Sequence, residues 1–265
     1  MLAFWLAGVA LVPAQLVIAH RGASADAPEN TLAAFRLAWE HGADGIEGDF
    51  RLTRDGRIVC LHDETTKRTA KGGVNLSVAS AGFEELRRID AGWWKDPKFC
   101  GEKIPTLLEV LGTVPERKLV FIEIKCGPEI VPKLAEELAT VGRVKPAQVV
   151  IISFREDVVR ACRASLPRIK VNWLTSYKRK GEPASWTPDA DTVMATLKRS
   201  GATGLGTAAE PAVVDARLVA RLREAGLEFH CWTIDEPAVA ERFRVLGTDS
   251  ITTNRPAEIR RALER

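Results

Sequence analysis

Short apolar runs alternate with helix-like stretches along nearly the whole of this 265-residue chain, which calls for a parallel sheet joined by crossover helices. Nine runs read as strands: Leu16–Ala19, Gly45–Asp49, Ile58–His62, Leu119–Lys125, Val149–Ser153, Ile169–Leu174, Thr203–Gly206, Glu228–Thr233 and Ser250–Thr253. A closed parallel barrel needs eight. The expectation is that one of the short late runs is not a full barrel strand. Helical patterns fill Thr31–His41, Glu129–Val141, Glu156–Ser165, Asp215–Ala225 and Glu236–Leu246, several opened by Thr, Asp or Pro and closed near Gly.

The rhythm breaks between Glu64 and Lys103, too long a gap for one crossover helix. It holds a short helix-like "GFEELRRI" and the aromatic "DAGWWKDPKF". With no linker-like tract around it, this segment reads as an insertion on a barrel loop, within one domain spanning residues 15–265. Ahead of it, residues 1–14 form an apolar stretch ending in Val12-Pro13-Ala14. Small residues at that point suit cleavage before Gln15, although no Lys or Arg precedes the apolar run. This favours an exported or periplasmic protein over a cytoplasmic one. The alternative is an apolar segment plugging one end of the core. The run is too short for a stable membrane span.

Charge excludes one class of partner. With 38 Lys and Arg against 35 Asp and Glu the net charge is only +3, and Lys178-Arg179-Lys180 and Arg260-Arg261 read as solvated faces, not nucleic-acid grooves. Five cysteines, an odd number without a C-x-x-C pair, argue against a disulfide scaffold; Cys60 and Cys231 read as core thiols.

The strand ends carry the chemistry. The first apolar run stops at His20-Arg21-Gly22, with Gly22 expected to turn the backbone away from a substrate. The second ends "EGD", the third "LHD", the fourth "EIK" and the eighth "HCWT". Strand side chains alternate faces, so Glu47 and Asp49 point one way, as do Glu123 and Lys125, and His230 and Trp232. Polar groups at the C-terminal ends of parallel barrel strands converge on one mouth. Taken singly each is weak: a strand-end histidine is commonly a structural hydrogen-bonder, and Glu123-x-Lys125 reads equally as an ion pair. Together they describe a site. Glu47, Asp49 and Glu123, three anions without thiol or imidazole clusters, suit a hard cation such as Ca²⁺ or Mg²⁺. His20 and His62 are groups able to exchange protons near neutral pH. Arg21 and Lys125 add fixed positive charge for an anionic substrate, and the set suits phosphate-ester cleavage. His41, before Gly42, reads as a helix C-terminal residue, and "GATGLG" at Gly201–Gly206 as a turn and short strand.

"HRG…PENTLAAF…GADGIEGDFRLTRDGRIVCLHD", with "IPTLLEVL", "FIEIK", "IISF", "CWTID" and "DSITTNRP" following in order, closely resembles the signature of glycerophosphodiester phosphodiesterases. The resemblance spans Leu16 to Pro256. It implies a (β/α)8 TIM barrel with a small insertion after the third strand. It also implies hydrolysis of a glycerophosphodiester, a small-molecule substrate, to sn-glycerol 3-phosphate and an alcohol with one divalent cation, Ca²⁺ or Mg²⁺. By motif, His20 and His62 match the acid/base histidines and Glu47, Asp49 and Glu123 the metal ligands. Arg21 and Lys125 match the phosphate-contacting cations, and Trp232 falls where the family lines its pocket. Gly48 and Phe50 depart from the family's usual aliphatic residues: Gly48 is expected to loosen its strand, and Phe50 to need room behind the sheet. Thr175–Asp191 is a long polar insertion near the mouth. Two other readings stand beside this one. A phospholipase D-like enzyme acting on lysophospholipids would use an apolar lip of Trp93, Trp94 and Phe99. A non-catalytic barrel binding a polyol phosphate would usually have lost one of these groups. Oligomeric state and the leaving alcohol stay open.

Overall fold

The computed structural model describes residues 15–181 and 185–264; residues 1–14, on which the export reading rests, lie outside them. The elements run β1 (Leu16–His20), α1 (Leu32–Glu40), β2 (Gly45–Leu52), β3 (Ile58–Cys60), α2 (Phe83–Arg87), α3 (Leu107–Thr113), β4 (Leu119–Ile124), α4 (Val131–Thr140), β5 (Val149–Ser153) and α5 (Glu156–Ser165). They continue β6 (Lys170–Thr175), β7 (Lys178–Lys180), β8 (Ser185–Thr187), α6 (Ala190–Ser200), β9 (Gly204–Ala208), α7 (Ala216–Glu224), β10 (Glu228–Trp232), α8 (Pro237–Leu246), β11 (Ser250–Thr253) and α9 (Pro256–Leu263). Strands β1, β2, β4, β5, β6, β9, β10 and β11 pair in that order, all parallel, and β11 returns to β1. This is a closed (β/α)8 TIM barrel.

Every late run is a barrel strand, contrary to the sequence expectation. The surplus ninth is β3, which pairs antiparallel with the far end of β2, Phe50 opposite Cys60 and Leu52 opposite Ile58. Strand β2 overshoots the barrel rim, turns through Thr53–Arg57, and the chain comes back down to the level of Asp49, where the Leu61 N–H donates to the Asp49 carbonyl at 2.8 Å. A period-2 apolar pattern cannot tell such a return strand from a parallel one, because both alternate faces alike.

Helix starts follow local chemistry. Asp189 and Asp215 cap α6 and α7 by accepting from Thr192 and Leu218 N–H groups, Thr106 and Glu109 form a capping box on α3, and α8 and α9 open with Pro. The outward faces of the strands and the inward faces of the helices build the main core around residues such as Ile46, Phe50, Ile122, Ile151, Leu205 and Phe229. Gly48 does not loosen β2. A methyl there would come within 3.1 Å of Phe35 and 3.3 Å of Phe50, so its missing side chain supplies part of the room that the fully buried Phe50 occupies. Burying that ring contributes about 2–3 kcal/mol.

Residues 64–103 fold onto the β3 side of the barrel around a small second core that includes Val59, Leu61, Ala70, Val78, Leu86 and Ile89. After β6, β7 and β8 pair antiparallel, and Lys178–Lys180 in β7 are exposed. Arg261 is exposed as expected, but Arg260 is not a solvated charge. It pairs with Asp44 and reaches the carbonyls of Gln15 and Gly42, fastening α9 to the base of the barrel. Cys60, Cys162 and Cys231 are buried and all five cysteines are free thiols. No described helix is long and apolar enough to cross a membrane.

Candidate active site

The inward faces of the strands form layers, and the uppermost one is polar. His20 lies beside Glu47, and Asp49 beside Glu123, as direct register partners on neighbouring strands. At the C-terminal mouth a cavity of about 180 Å³ is lined by His20, Arg21, Glu47, His62, Glu123, Lys125 and Trp232, with Ile152, Phe154, Leu174, Thr233 and Thr252 completing the wall. Seven of the eight residues expected at the site line it. The eighth, Asp49, lies beneath with no exposed surface. His62 reaches the mouth from above, on the returning arm of the β2–β3 hairpin, and not from the end of a parallel strand. His230 does not belong to the mouth. It sits one layer down in β10, bonded to Ser250 at 2.8 Å and edge-on to Phe121, and it borders a separate recess at the opposite end of the barrel.

Glu47, Asp49 and Glu123 are buried, and one oxygen from each lies within 4.8 Å of the others. Burial, then the charges of Asp49 and Glu123, push the Glu47 carboxyl well above the usual carboxylate range. Burial and Asp49 push Glu123 up to about 7. Asp49 goes the other way. Burial alone would raise it, but the Arg21, Lys125 and His62 charges and the Asn30 amide hold it below its ordinary value. Two buried oxygens, Glu47 Oε1 and Asp49 Oδ1, have no hydrogen-bond donor. Oxygen-only donors with anionic charge left uncompensated fit a hard divalent cation.

Arg21 ties this cluster to the rim. Its N–H donates to Glu47 Oε2 at 2.9 Å, its Nε lies 3.1 Å from Asp49 Oδ2, and Nη1 donates to Glu29 at 2.9 Å. It does so from a left-handed backbone conformation, φ 57°, a strained geometry that functional sites tolerate. Gly22 follows at φ 81°, turning the backbone as expected, and close approach of the helix also requires it: a Cβ there would lie 2.5 Å from the Ala34 carbonyl carbon. Lys125 Nζ donates to Glu123 at 2.7 Å and stands 3.6 Å from Asp49. Trp232 packs edge-on to Phe154, ring centres 5.5 Å apart, and with Ile152 and Leu174 makes the apolar side of the cavity. Trp93, Trp94 and Phe99 are not among the lining residues.

The two histidines are held differently. His20 Nδ1 lies 2.7 Å from Asn254 Oδ1, while the Asn254 amide NH₂ donates to Asp235 at 2.7 Å. That second bond fixes the amide orientation, so Oδ1 accepts, His20 Nδ1 carries the hydrogen, and Nε2 keeps its lone pair. Burial and the neighbouring Arg21 charge lower the His20 pKa, which keeps the ring neutral. His62 Nδ1 is 2.7 Å from Asp63, whose carboxyl is held down by Arg68 and by His62 itself. Asn30 grips Asp49 through a donor and an acceptor, at 2.8 and 3.2 Å, and accepts from the Cys60 thiol.

The strand pattern puts the main groups at the mouth but assigns no role to Glu29, Asn30, Asp63, Asp235 or Asn254. The "PEN" and "TNRP" stretches held the signal: amides and carboxylates just after strand ends.

The profile of the Glycerophosphoryl diester phosphodiesterase family matches residues 20–258. The chain belongs to this family. It is 37% identical over 246 residues to a glycerophosphodiester phosphodiesterase of Caldanaerobacter subterraneus, covering 91% of this chain and 94% of that one. A Bacillus subtilis glycerophosphodiester phosphodiesterase is 29% identical over 257 residues, covering 91% and 84%. The barrel superposes with TM-score 0.82 on an Oleispira antarctica phosphodiesterase solved with the product sn-glycerol-3-phosphate, at 28% identity over 94% of this chain and 97% of that one. A glycerophosphodiester phosphodiesterase from Agrobacterium tumefaciens gives TM-score 0.75 at 28% identity, covering 93% and 99%. Membership in the family makes the chain a phosphoric diester hydrolase.

Proposed function

We propose that this barrel hydrolyses water-soluble glycerophosphodiesters to sn-glycerol 3-phosphate and an alcohol, using His20 and His62 for proton transfer and a divalent cation, Ca²⁺ or Mg²⁺, held by Glu47, Asp49 and Glu123. We read residues 15–265 as one such domain with 64–103 inserted. The observation that carries the proposal is the meeting of two imidazoles, two fixed cations and a buried acidic trio around one small cavity.

When bound, the cation supplies charge neutralisation at a phosphoryl oxygen. Arg21 and Lys125 hold the remaining phosphoryl charge, and both are already oriented by carboxylates. His20, neutral with a free Nε2, takes the proton of the attacking hydroxyl. His62 then gives a proton to the departing alkoxide as the phosphorus–oxygen bond to the alcohol breaks, each transfer contributing about 10²–10⁴-fold. The net change is one water consumed per diester cleaved, and the two imidazoles regain their starting protonation by exchange with solvent. The apolar wall of Ile152, Phe154, Leu174 and Trp232 leaves the carbon skeleton of the glycerol a dry surface.

The lysophospholipid alternative calls on Trp93, Trp94 and Phe99, none of which lines the cavity itself. The binding-only alternative lacks a missing group to explain it. Glycerol 3-phosphate release from glycerophosphocholine, in EDTA and then with Ca²⁺ or Mg²⁺ restored, tests the proposal beside His62→Ala. Metal-restored release that vanishes in a folded His62→Ala variant is the expected result. Undiminished turnover by that variant would remove His62 from the mechanism.

A further inference from the structure

Arg68 stands on the inserted segment, outside the cavity, yet its guanidinium is used on both sides. Nε and Nη2 donate to Asp63 at 2.8 and 3.0 Å, and Nη1 and Nη2 donate to Glu29 at 2.8 Å each. Asp63 is the carboxylate on His62, and Glu29 is the carboxylate on Arg21. The turn that presents Arg68 is itself fastened. The buried Thr66 donates its hydroxyl to Val74 O at 2.6 Å, accepts from the Leu76 N–H at 3.0 Å, and receives the N–H groups of Thr69 and Ala70 at its own carbonyl. A planar fork fixed to a rigid turn sets two carboxylates at once, which a single ammonium cannot do.

We propose that Arg68 is a positioning residue for the reaction, and that presenting it is a function of the insertion. Through Asp63 it fixes the ring of His62; through Glu29 it fixes the outer edge of Arg21. The inference rests on the hydrolytic role given to His62 above. Without Arg68, Arg21 keeps its bonds to Glu47 and Asp49 and still meets the substrate. Asp63 loses its only described side-chain donors other than His62 and swings free. The loss therefore falls on turnover more than on binding.

The test is steady-state kinetics of Arg68→Ala and Arg68→Lys with glycerophosphocholine and the restored cation, with His62→Ala run in parallel. Arg68→Ala should lower kcat about 10–100-fold, the usual effect of removing a group that orients a ligand or catalytic side chain, with KM little changed. Arg68→Lys should recover part of the loss, and free guanidinium at non-denaturing concentration should raise turnover of Arg68→Ala but not of the parent. An Arg68→Ala enzyme as fast as the parent, with His62→Ala inactive, overturns the inference alone. So does a slow Arg68→Ala that neither Lys nor guanidinium improves, since that marks a purely structural tie. An active His62→Ala removes the hydrolytic reading instead.

Discussion

Replacing Asn254 with alanine isolates the step that sets the His20 tautomer. The Nδ1 hydrogen lies 2.7 Å from Asn254 Oδ1 in a site where burial and Arg21 already keep the imidazole neutral. Removing the amide leaves that hydrogen without an acceptor, and the tautomer with hydrogen on Nε2, useless as a base, becomes competitive. A buried donor stripped of its partner costs about 1–3 kcal/mol. At about 1.4 kcal/mol per tenfold in rate, kcat/KM should fall about 5- to 150-fold. The loop itself should hold, because Asp235 still accepts from the residue 254 N–H and the Thr253 hydroxyl. The assay is glycerol 3-phosphate release at saturating cation, with thermal unfolding to confirm the fold. Ser24→Ala is the control. It removes a hydroxyl 2.8 Å from the same Oδ1 but leaves the acceptor, and should cost much less. An Asn254→Ala enzyme as fast as the parent, beside an inactive His20→Ala, would show that something other than Asn254 holds the ring.

Two further outcomes follow from the geometry. Glu123, raised by burial and Asp49 from 4.5 to about 7, binds its proton more tightly folded than unfolded. Its contribution to stability is complete below 4.5 and disappears as pH rises through about 7. Unfolding midpoints in EDTA should fall between about pH 5 and about pH 8, and added Ca²⁺ or Mg²⁺ should raise them more at the higher pH. Glu123→Gln should weaken both trends; unchanged trends would place the titration elsewhere. Gly22→Ala should destabilise the fold by about 2–4 kcal/mol, because a left-handed residue gains a methyl pressed against the α1 backbone. Chemical denaturation checks this, and a variant as stable as the parent would mean that the loop shifts at no cost.

The parts of this molecule legible in the sequence are those fixed by period and by chemistry at fixed spacing. Alternation placed Glu47 with Asp49 and Glu123 with Lys125, because strand geometry leaves no other option. Helix Glu156–Ser165 appears with the very bounds that its pattern gave. What stayed hidden depends on pairing across distance. Nothing local says that Ile58–Cys60 runs backward along β2, so the pattern puts the surplus strand among the short late runs. Nothing local separates His230 from Trp232, which share a face but lie in different layers. Gly48 and Phe50 look like two departures, yet they are one exchange of volume across Phe35. Asn254 and Asp235 lie 234 and 215 positions after His20, and only closure of the barrel between β11 and β1 brings them to it.

The β2–β3 hairpin acts as a ruler. Glu47, Asp49 and His62 all ride on it, and the bond from Leu61 to Asp49 fixes how far down the returning arm reaches. The inserted segment joins beyond that mark, so its length past the Thr66–Leu76 turn that presents Arg68 does not set the spacing between the acidic cluster and the imidazole. Thr53–Arg57 has no such freedom. One residue added or removed there slips the pairing by a step and turns the returning arm over, carrying His62 to the outer face of the sheet. The tolerance of this chain to change is thus set by position along one hairpin: strict within its turn and through the Arg68 turn that follows, permissive in the length of the insertion beyond.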